Sequence, residues 1–218
     1  MQKTLVICES TKSGADAKII LSLISVGNLL PTGYEIRTTE DKNLRKNGSI
    51  EDVKDFITNG LSDYSIGKFK NVLIIGDADN KLTKRFNEIK KCFNGQHQHF
   101  ELPQSKSDTL PNSQNKINVN IYLLPNNKDK GGLETLCLKA LKSKKWQEKL
   151  SCVKFYMSCL SRKRIDPGLT ENNKDKAKFR VYHATPNPDG YVHDLLNAID
   201  IDSASFDDLK AFIRQANR

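Results

Sequence analysis

Four β-favouring residues in a row, Val72-Leu73-Ile74-Ile75, carry no polar alternation and run into Gly76-Asp77-Ala78-Asp79. A strand with one face in water alternates apolar and polar residues. An unbroken apolar run needs cover on both faces, the usual state of a parallel strand in an α/β structure. The two aspartates then stand at the C-terminal tip of a buried strand. In open α/β sheets that edge collects ligands, so the charges lie where chemistry is normally done. Asp79 has a second reading as the N-cap of a helix beginning at Asn80, a common role for aspartate at such a junction. Capping leaves Asp77 unaccounted for.

The same periodicity places strands near 3–8 (KTLVIC), 34–38 (YEIRT), 71–76 (NVLIIG) and 117–124 (INVNIYLL), with a weaker one near 98–102. Apolar residues at helical spacing run over Ala15–Val26, Ser49–Leu61 and Asn80–Phe93, and Ser49 and Asp52 are spaced as a capping box. This alternation implies an α/β fold, a mostly parallel sheet flanked by helices. After Leu124 the patterns are helical alone: Leu133–Leu141, Trp146–Leu160, Lys174–Ala184, Gly190–Ile199 and Phe206–Arg214. A chain of 218 residues suffices for one sizeable core and is marginal for two. The expected organisation is an α/β domain over residues 1–140 with a helical extension over 141–218 packed on it, together one compact unit. The polar stretch Leu102–Lys116 reads as a mobile loop between two strands, and Ser161–Thr170 as a basic bend between two helices.

Thirty-five Lys plus Arg against 26 Asp plus Glu give a formal charge of +9, which favours an anionic partner such as nucleic acid. The five cysteines are odd in number, form no C-x-x-C pair and lie mostly in apolar runs, as reduced packing residues in a cytoplasm do. No zinc site is suggested. The N-terminus enters a short strand directly, too short for a signal h-region, and is far from the apolar span a membrane helix needs. A cytoplasmic protein without a membrane is expected.

Four acids stand at predicted strand ends or helix starts and are expected to gather along one rim of a parallel sheet: Glu9, Asp77, Asp79 and Glu134. Taken singly, Glu9 reads as a surface charge and Glu134 as a first-turn acid favoured by the helix dipole. Together they point elsewhere. Like charges oppose one another's ionisation, so clustered carboxylates usually hold a divalent cation, and oxygen-only ligands select Mg²⁺ or Mn²⁺ over zinc. Two such ions about 3.5–4 Å apart stabilise the attacking and leaving oxygens of a phosphodiester. Lys81, Lys84 and Arg85, with Lys90, Lys91 and the later Lys142, Lys144 and Lys145, suit phosphate contacts. His97 and His99 share one face of an expected edge strand without a third ligand. His183 and His193 flank ATPNPDGY, and no serine or cysteine sits in a nucleophile-elbow pattern.

A Glu after the first strand, an apolar strand ending Asp-x-Asp and a basic helix behind it resemble the Toprim domain of topoisomerases, primases and OLD-type nucleases. The segments IYLLPNNKDKGGLETLCL, NNKDKAKFRVYHATPNPDGY and SFDDLKAFI are similar to a group of small stand-alone Toprim-like proteins related to the OLD nucleases. The resemblance covers most of the chain, most strongly Val72–Asp79 and Ile121–Leu138. It implies metal at Asp77, Asp79 and Glu134, Glu9 as ligand or general base, and Lys176 assisting catalysis. It also implies nuclease-like activity on DNA or RNA, and an ATPase or other protein partner supplied in trans. The chain departs from the family at the first motif, where Ser10 follows Glu9 and the next acid, Asp16, is seven residues on. By charge pattern alone NNKDKAK, which contains Asp175 and Lys176, reads as a solvated helix face. Two other readings stand beside the nuclease one. The first is a Toprim-like module that binds metal or nucleic acid without turnover. The second is a flavodoxin-like FMN or phosphate binder using ESTKSGAD, whose helix-start backbone N–H groups would take the phosphate.

Overall fold

In the computed structural model the apolar runs form a five-stranded, all-parallel sheet. The structure describes residues 3–9, 14–31, 33–38, 49–96, 98–110, 115–163, 171–184 and 197–216. The strands are β1 (Lys3–Cys8), β2 (Tyr34–Thr38), β3 (Phe69–Asp77), β4 (Phe100–Glu101) and β5 (Ile117–Leu124), in the order β2-β1-β3-β5-β4. Every residue of β5 is buried, and so are Leu5 to Cys8 of β1 and Asn71 to Gly76 of β3. The apolar sequences without alternation thus lie in the middle of the sheet, where helices cover both faces.

Successive side chains of β3 feed opposite cores. Leu73 and Ile75 join Val6, Tyr122 and Leu124 under α1 (Ala15–Gly27), α5 (Leu133–Lys139) and the last helix, α8 (Asp207–Gln215). Val72 and Ile74 join Ile7, Val119 and Ile121 under α2 (Ile50–Asn59) and α4 (Leu82–Lys91). Each fully buried Leu or Ile contributes about 1.5–3 kcal/mol, so these two layers carry most of the stability. A smaller third cluster, with Leu150, Val153 and Tyr182, joins α6 (Lys144–Arg162) to α7 (Glu171–Ala184).

Several expected boundaries shift. The pattern over Ser49–Leu61 divides at Gly60, where α2 ends and α3 (Leu61–Ser65) begins. The helix expected from Asn80 starts two residues later and ends at Lys91, and the edge strand expected near 98–102 shortens to Phe100–Glu101. His99 therefore precedes the strand in a turn, and His97 lies outside the described residues. The helix expected over 190–199 falls mostly outside them, and so does part of each polar loop. The described part of the first loop is tied down: Leu110 donates to Asn120 Oδ1, and the Lys106 carbonyl accepts from Asn127. Among the described residues no helix is long and apolar enough to cross a membrane.

The topology locates the site. The chain leaves β1 for β2 on one side and returns to β3 on the other, so a crevice opens between the C-terminal ends of β1 and β3. On the same side of the sheet α2 begins with the capping box expected at Ser49. Asp52 N–H donates to Ser49 Oγ at 3.4 Å, and Ser49 N–H to Asp52 Oδ2 at 3.0 Å. Ser49→Ala should cost about 1 kcal/mol in urea unfolding, with the slope of the transition unchanged. A loss below about 0.3 kcal/mol would mean that this cap does not set the start of α2.

Candidate functional site at the carboxyl edge of the sheet

Asp77 is the last residue of β3, and its carboxylate is fixed from three directions. Leu133 N–H, at the start of α5, donates to Oδ1 at 3.1 Å, and Lys176 Nζ donates to Oδ2 at 2.9 Å. Gly132 passes beside it so closely that a Cβ there would lie 2.5–2.6 Å from the carboxylate atoms. Glu9, one residue beyond β1, reaches across the crevice and accepts the Asp77 backbone N–H at 3.2 Å, while its own N–H donates to the Ile75 carbonyl. The β1–β3 switch point is therefore closed by two acids.

Asp79 does not cap α4. Its backbone lies in the left-handed region at φ 48°, which aspartate tolerates better than most residues. It is locked there by two bonds with Gly131: Asp79 N–H to the Gly131 carbonyl at 2.8 Å, and Gly131 N–H to the Asp79 carbonyl at 3.0 Å. Lys81 occupies the N-cap position with no side-chain cap. The freed carboxylate turns into the rim, accepting from Arg85 at 2.9 Å and from Lys176 Nζ at 3.2 Å.

Lys176 is thus shared by both aspartates, and the solvated helix face expected for NNKDKAK is not what forms. The reason is packing. Asp175 accepts from Thr135 Oγ1 at 3.1 Å and from Lys178 at 3.0 Å, which docks α7 on α5 and turns Lys176 inward. Burial opposes the charge on Lys176, but Asp77, with Glu134 and Asp79 behind it, prevails and holds the ammonium above its ordinary range. A cleft of about 590 Å³ opens beside these groups, lined by Asp79, Lys81, Lys84, Arg85 and Lys176 together with Glu51 and Glu88, the latter 3.7 Å from Lys84. Lys90 and Lys91 border a different depression, and Lys142, Lys144 and Lys145 do not line the cleft.

A family model described as "Protein of unknown function (DUF3226)" matches residues 5–217. The chain belongs to the DUF3226 family. No curated protein and no solved structure matches it.

Sequence reading missed one member of the DUF3226 rim. Asp16, the second residue of α1, is close enough to Asp77, Glu134 and Glu9 for their charges to act on it. Burial first, then those three acids, push its carboxyl well above the usual range, while Lys176 pulls the other way. The signal was present in topology. The helix after a parallel strand starts at the carboxyl edge, so an acid in its first turn faces that edge however far it stands from Glu9 in sequence. Glu134 completes the group by acting on Asp16 and Lys176. Five carboxylates thus gather around two cations, Lys176 and Arg85. Among the described residues, however, no three acidic, histidine or cysteine side chains are placed to hold a metal ion.

His97, His193 and the side chain of His183 lie outside the described residues, as does the Ser10–Ser13 part of the phosphate-loop candidate. The five cysteines are free; only Cys8 and Cys137 are buried packing residues, with burial pushing the Cys8 thiol up to about 12, whereas Cys92 and Cys159 are half-buried and Cys152 is exposed.

Burial, reinforced by Asp77, raises the Glu9 carboxyl from 4.5 to about 7. Between those values the folded state holds a proton that the unfolded state has lost, so stability falls as pH rises from about 4.5 to about 7 and then levels. The shift corresponds to a cost on the order of 3 kcal/mol above pH 7. In EDTA, Glu9→Gln should therefore stabilise the protein at pH 8 and change little at pH 4.5. Urea titrations at both values check it, and an equal effect at the two would remove Glu9 from the rim's charge balance. Gly132→Ala, which drives a methyl group into the Asp77 carboxylate, should cost about 1–3 kcal/mol in the same experiment.

Proposed function

We propose that this DUF3226 protein is a Mg²⁺- or Mn²⁺-dependent phosphoryl-transfer protein acting on nucleic-acid phosphodiesters. The observation that carries this reading is the ammonium of Lys176 shared by Asp77 and Asp79, at 2.9 and 3.2 Å, in a rim of five carboxylates and two cations. Burial raises the Glu9 and Asp16 carboxyls and the neighbouring acids raise them further, and a hard divalent cation would relieve that repulsion. The all-oxygen donor set fits Mg²⁺ or Mn²⁺. Asp77 and Asp79 would hold the ion, with Glu134 at a second position. When bound, it would supply positive charge for the oxygens entering and leaving phosphorus. The resemblance to Toprim domains supports the same assignment.

The chain's own groups supply the rest. Glu9, titrating near 7, is matched to accept a proton from an attacking water at neutral pH. Lys176 and Arg85 stand beside the cleft as donors to phosphate oxygens. Among the described residues the buried Arg85 Nε also has no hydrogen-bond partner, a donor that a phosphate oxygen would satisfy. Lys81 and Lys84 extend the positive lining, where contacts position a backbone without reading its sequence. One observation favours a second reading, a module that binds nucleic acid without turnover: among the described residues no three acids are placed around one metal position.

Thermal melting with and without Mn²⁺ separates the readings. At a hundredfold excess over Kd the ion should stabilise the protein by about 2.7 kcal/mol, roughly 5–10 °C in Tm at this chain length, and EDTA should reverse the shift. Asp77→Asn and Asp79→Asn should each lose most of it, together with any Mn²⁺-dependent cleavage of single- or double-stranded substrates. An undiminished shift in both variants would overturn the site as drawn. A normal shift with no cleavage of any substrate would leave the non-catalytic module.

A further inference from the structure

The cations of the cleft beside the rim do not continue as a track. Lys81, Lys84 and Arg85 place positive charge at the start of α4, and Lys176 adds a fourth cation from α7. The charge then reverses. Glu88, also in the lining, follows Lys84 and Arg85 by one helical turn, about 5.4 Å along the axis, on the same face. Glu51, from the first turn of α2, lines the cleft as well, and Lys54 links the two acids at 2.7 Å from Glu51 and 3.9 Å from Glu88. Most of the cations already face a carboxylate. Arg85 is 2.9 Å from Asp79, Lys176 is 2.9 Å from Asp77 and 3.2 Å from Asp79, and Lys84 is 3.7 Å from Glu88. An anion entering the cleft competes with these pairs, and a doubly charged group competes better than a singly charged one.

An internal phosphodiester carries one negative charge and has a phosphate neighbour on either side. To lie here it would bring those neighbours toward Glu88 and Glu51 or toward the carboxylate rim, and like charge opposes both. A phosphate that ends a strand has a neighbour on one side only, carries about −1.5 to −2 at neutral pH and offers three acceptor oxygens. Donors for them stand together: the Lys81 and Lys84 ammonium groups and Arg85 Nε, which among the described residues has no hydrogen-bond partner while Nη2 holds Asp79. A cleft of about 590 Å³ is also of a size to hold one small group and not a run of nucleotides. We propose that this cleft binds the phosphorylated end of a nucleic-acid strand, with the terminal phosphate on Lys81, Lys84 and Arg85. This rests on the rim being the phosphoryl-transfer site, and narrows its substrate to strands that end in a phosphate. Lys176 belongs to both places, since it lines the cleft and bonds both aspartates. The rim therefore meets the strand at its end.

Fluorescence anisotropy with internally labelled single strands of about ten nucleotides, in EDTA so that nothing is cut, tests this. The strands carry a 5′-phosphate, a 3′-phosphate or hydroxyls at both ends, which also tells the two ends apart. One phosphorylated strand should bind about tenfold more tightly than the hydroxyl-ended one. Lys84→Ala, at a side chain 66% exposed, should keep the parent Tm and cut that preference to about threefold or less. Glu51→Gln combined with Glu88→Gln should tighten the hydroxyl-ended strand about threefold, by removing charge that opposes an internal phosphate. Equal binding of all three strands in a parent that Mn²⁺ stabilises would overturn the end site while leaving the metal reading intact. A preference for one end that Lys84→Ala abolishes, in a parent that Mn²⁺ does not stabilise, would sustain the end site and overturn the rim. A preference untouched by Lys84→Ala would place the terminal phosphate elsewhere and overturn the cleft. Inorganic phosphate that displaces the phosphorylated strand at equal concentration would make free phosphate the occupant and overturn the strand end.

Discussion

One ammonium group shared by two carboxylates organises the functional end of this molecule. Asp77 and Asp79 are held in place by backbone geometry, the first at the end of β3 and the second in a left-handed turn zipped to Gly131. Neither can move away from the other without breaking main-chain bonds, so their repulsion must be offset locally. The compensating charge comes from Lys176, 99 and 97 residues further along the chain, on a helix held by the contact of Asp175 with Thr135. The lock runs through β3, α5 and α7 in turn. It therefore joins the parallel sheet to the helices that follow it, beside the apolar docking of α7 through the buried Phe179 and Tyr182. Burying an ammonium this far is tolerable because two carboxylates face it; with one removed, a half-buried charge would lose much of its compensation.

How much of this could be read from sequence depends on how local the signal is. The runs KTLVIC and INVNIYLL match β1 and β5 end to end because a strand covered on both faces draws mostly apolar residues, a requirement met within six or eight positions, whereas YEIRT matches β2 at the sheet edge with only Thr38 buried. The Ser49–Asp52 box was equally visible, since both partners lie within one helical turn. Site residues at strand tips, Glu9 and Asp77, were legible through topology, because a parallel strand delivers its last residue to the carboxyl edge. Lys176 was readable by resemblance but not by pattern. Whether a lysine in NNKDKAK faces water depends on how α7 lies on α5, and a helix with weak amphipathicity does not encode that in its own sequence. Asp79 illustrates a different limit. Its position before a helix fits a cap, but the bridge to Gly131, some fifty residues later, sets its backbone and turns its side chain the other way. Asp16 was obscured by distance from Glu9 along the chain, which the helix start at the rim makes irrelevant.

The excess positive charge of the chain is distributed to match this arrangement. Acids concentrate at the sheet edge, and lysines border them on α4 and again beyond α7. A polyanion approaching along the basic borders is attracted at long range, whereas the rim itself repels it. Under the proposed function this division is useful. The borders retain the strand, and the phosphodiester enters the carboxylate rim only when positive charge is present there to receive it.

The state of Lys176 decides how that charge arrives. Because Asp77, Glu134 and Asp79 hold its proton more firmly than water would, Lys176 remains a cation throughout the physiological range, and a divalent ion cannot enter by waiting for it to deprotonate. The ammonium has to move as a charged group, and it moves most easily toward other negative charge. A phosphate in the adjoining cleft provides that destination, since Lys176 already lines it together with Lys81, Lys84 and Arg85. Under the proposed function, metal and phosphate would therefore bind more tightly together than either binds alone, because each removes part of the cost of the other. Linkage makes this coupling reciprocal. A weak affinity for metal in the absence of nucleic acid is then the expected consequence of a lysine that already occupies the space between the aspartates.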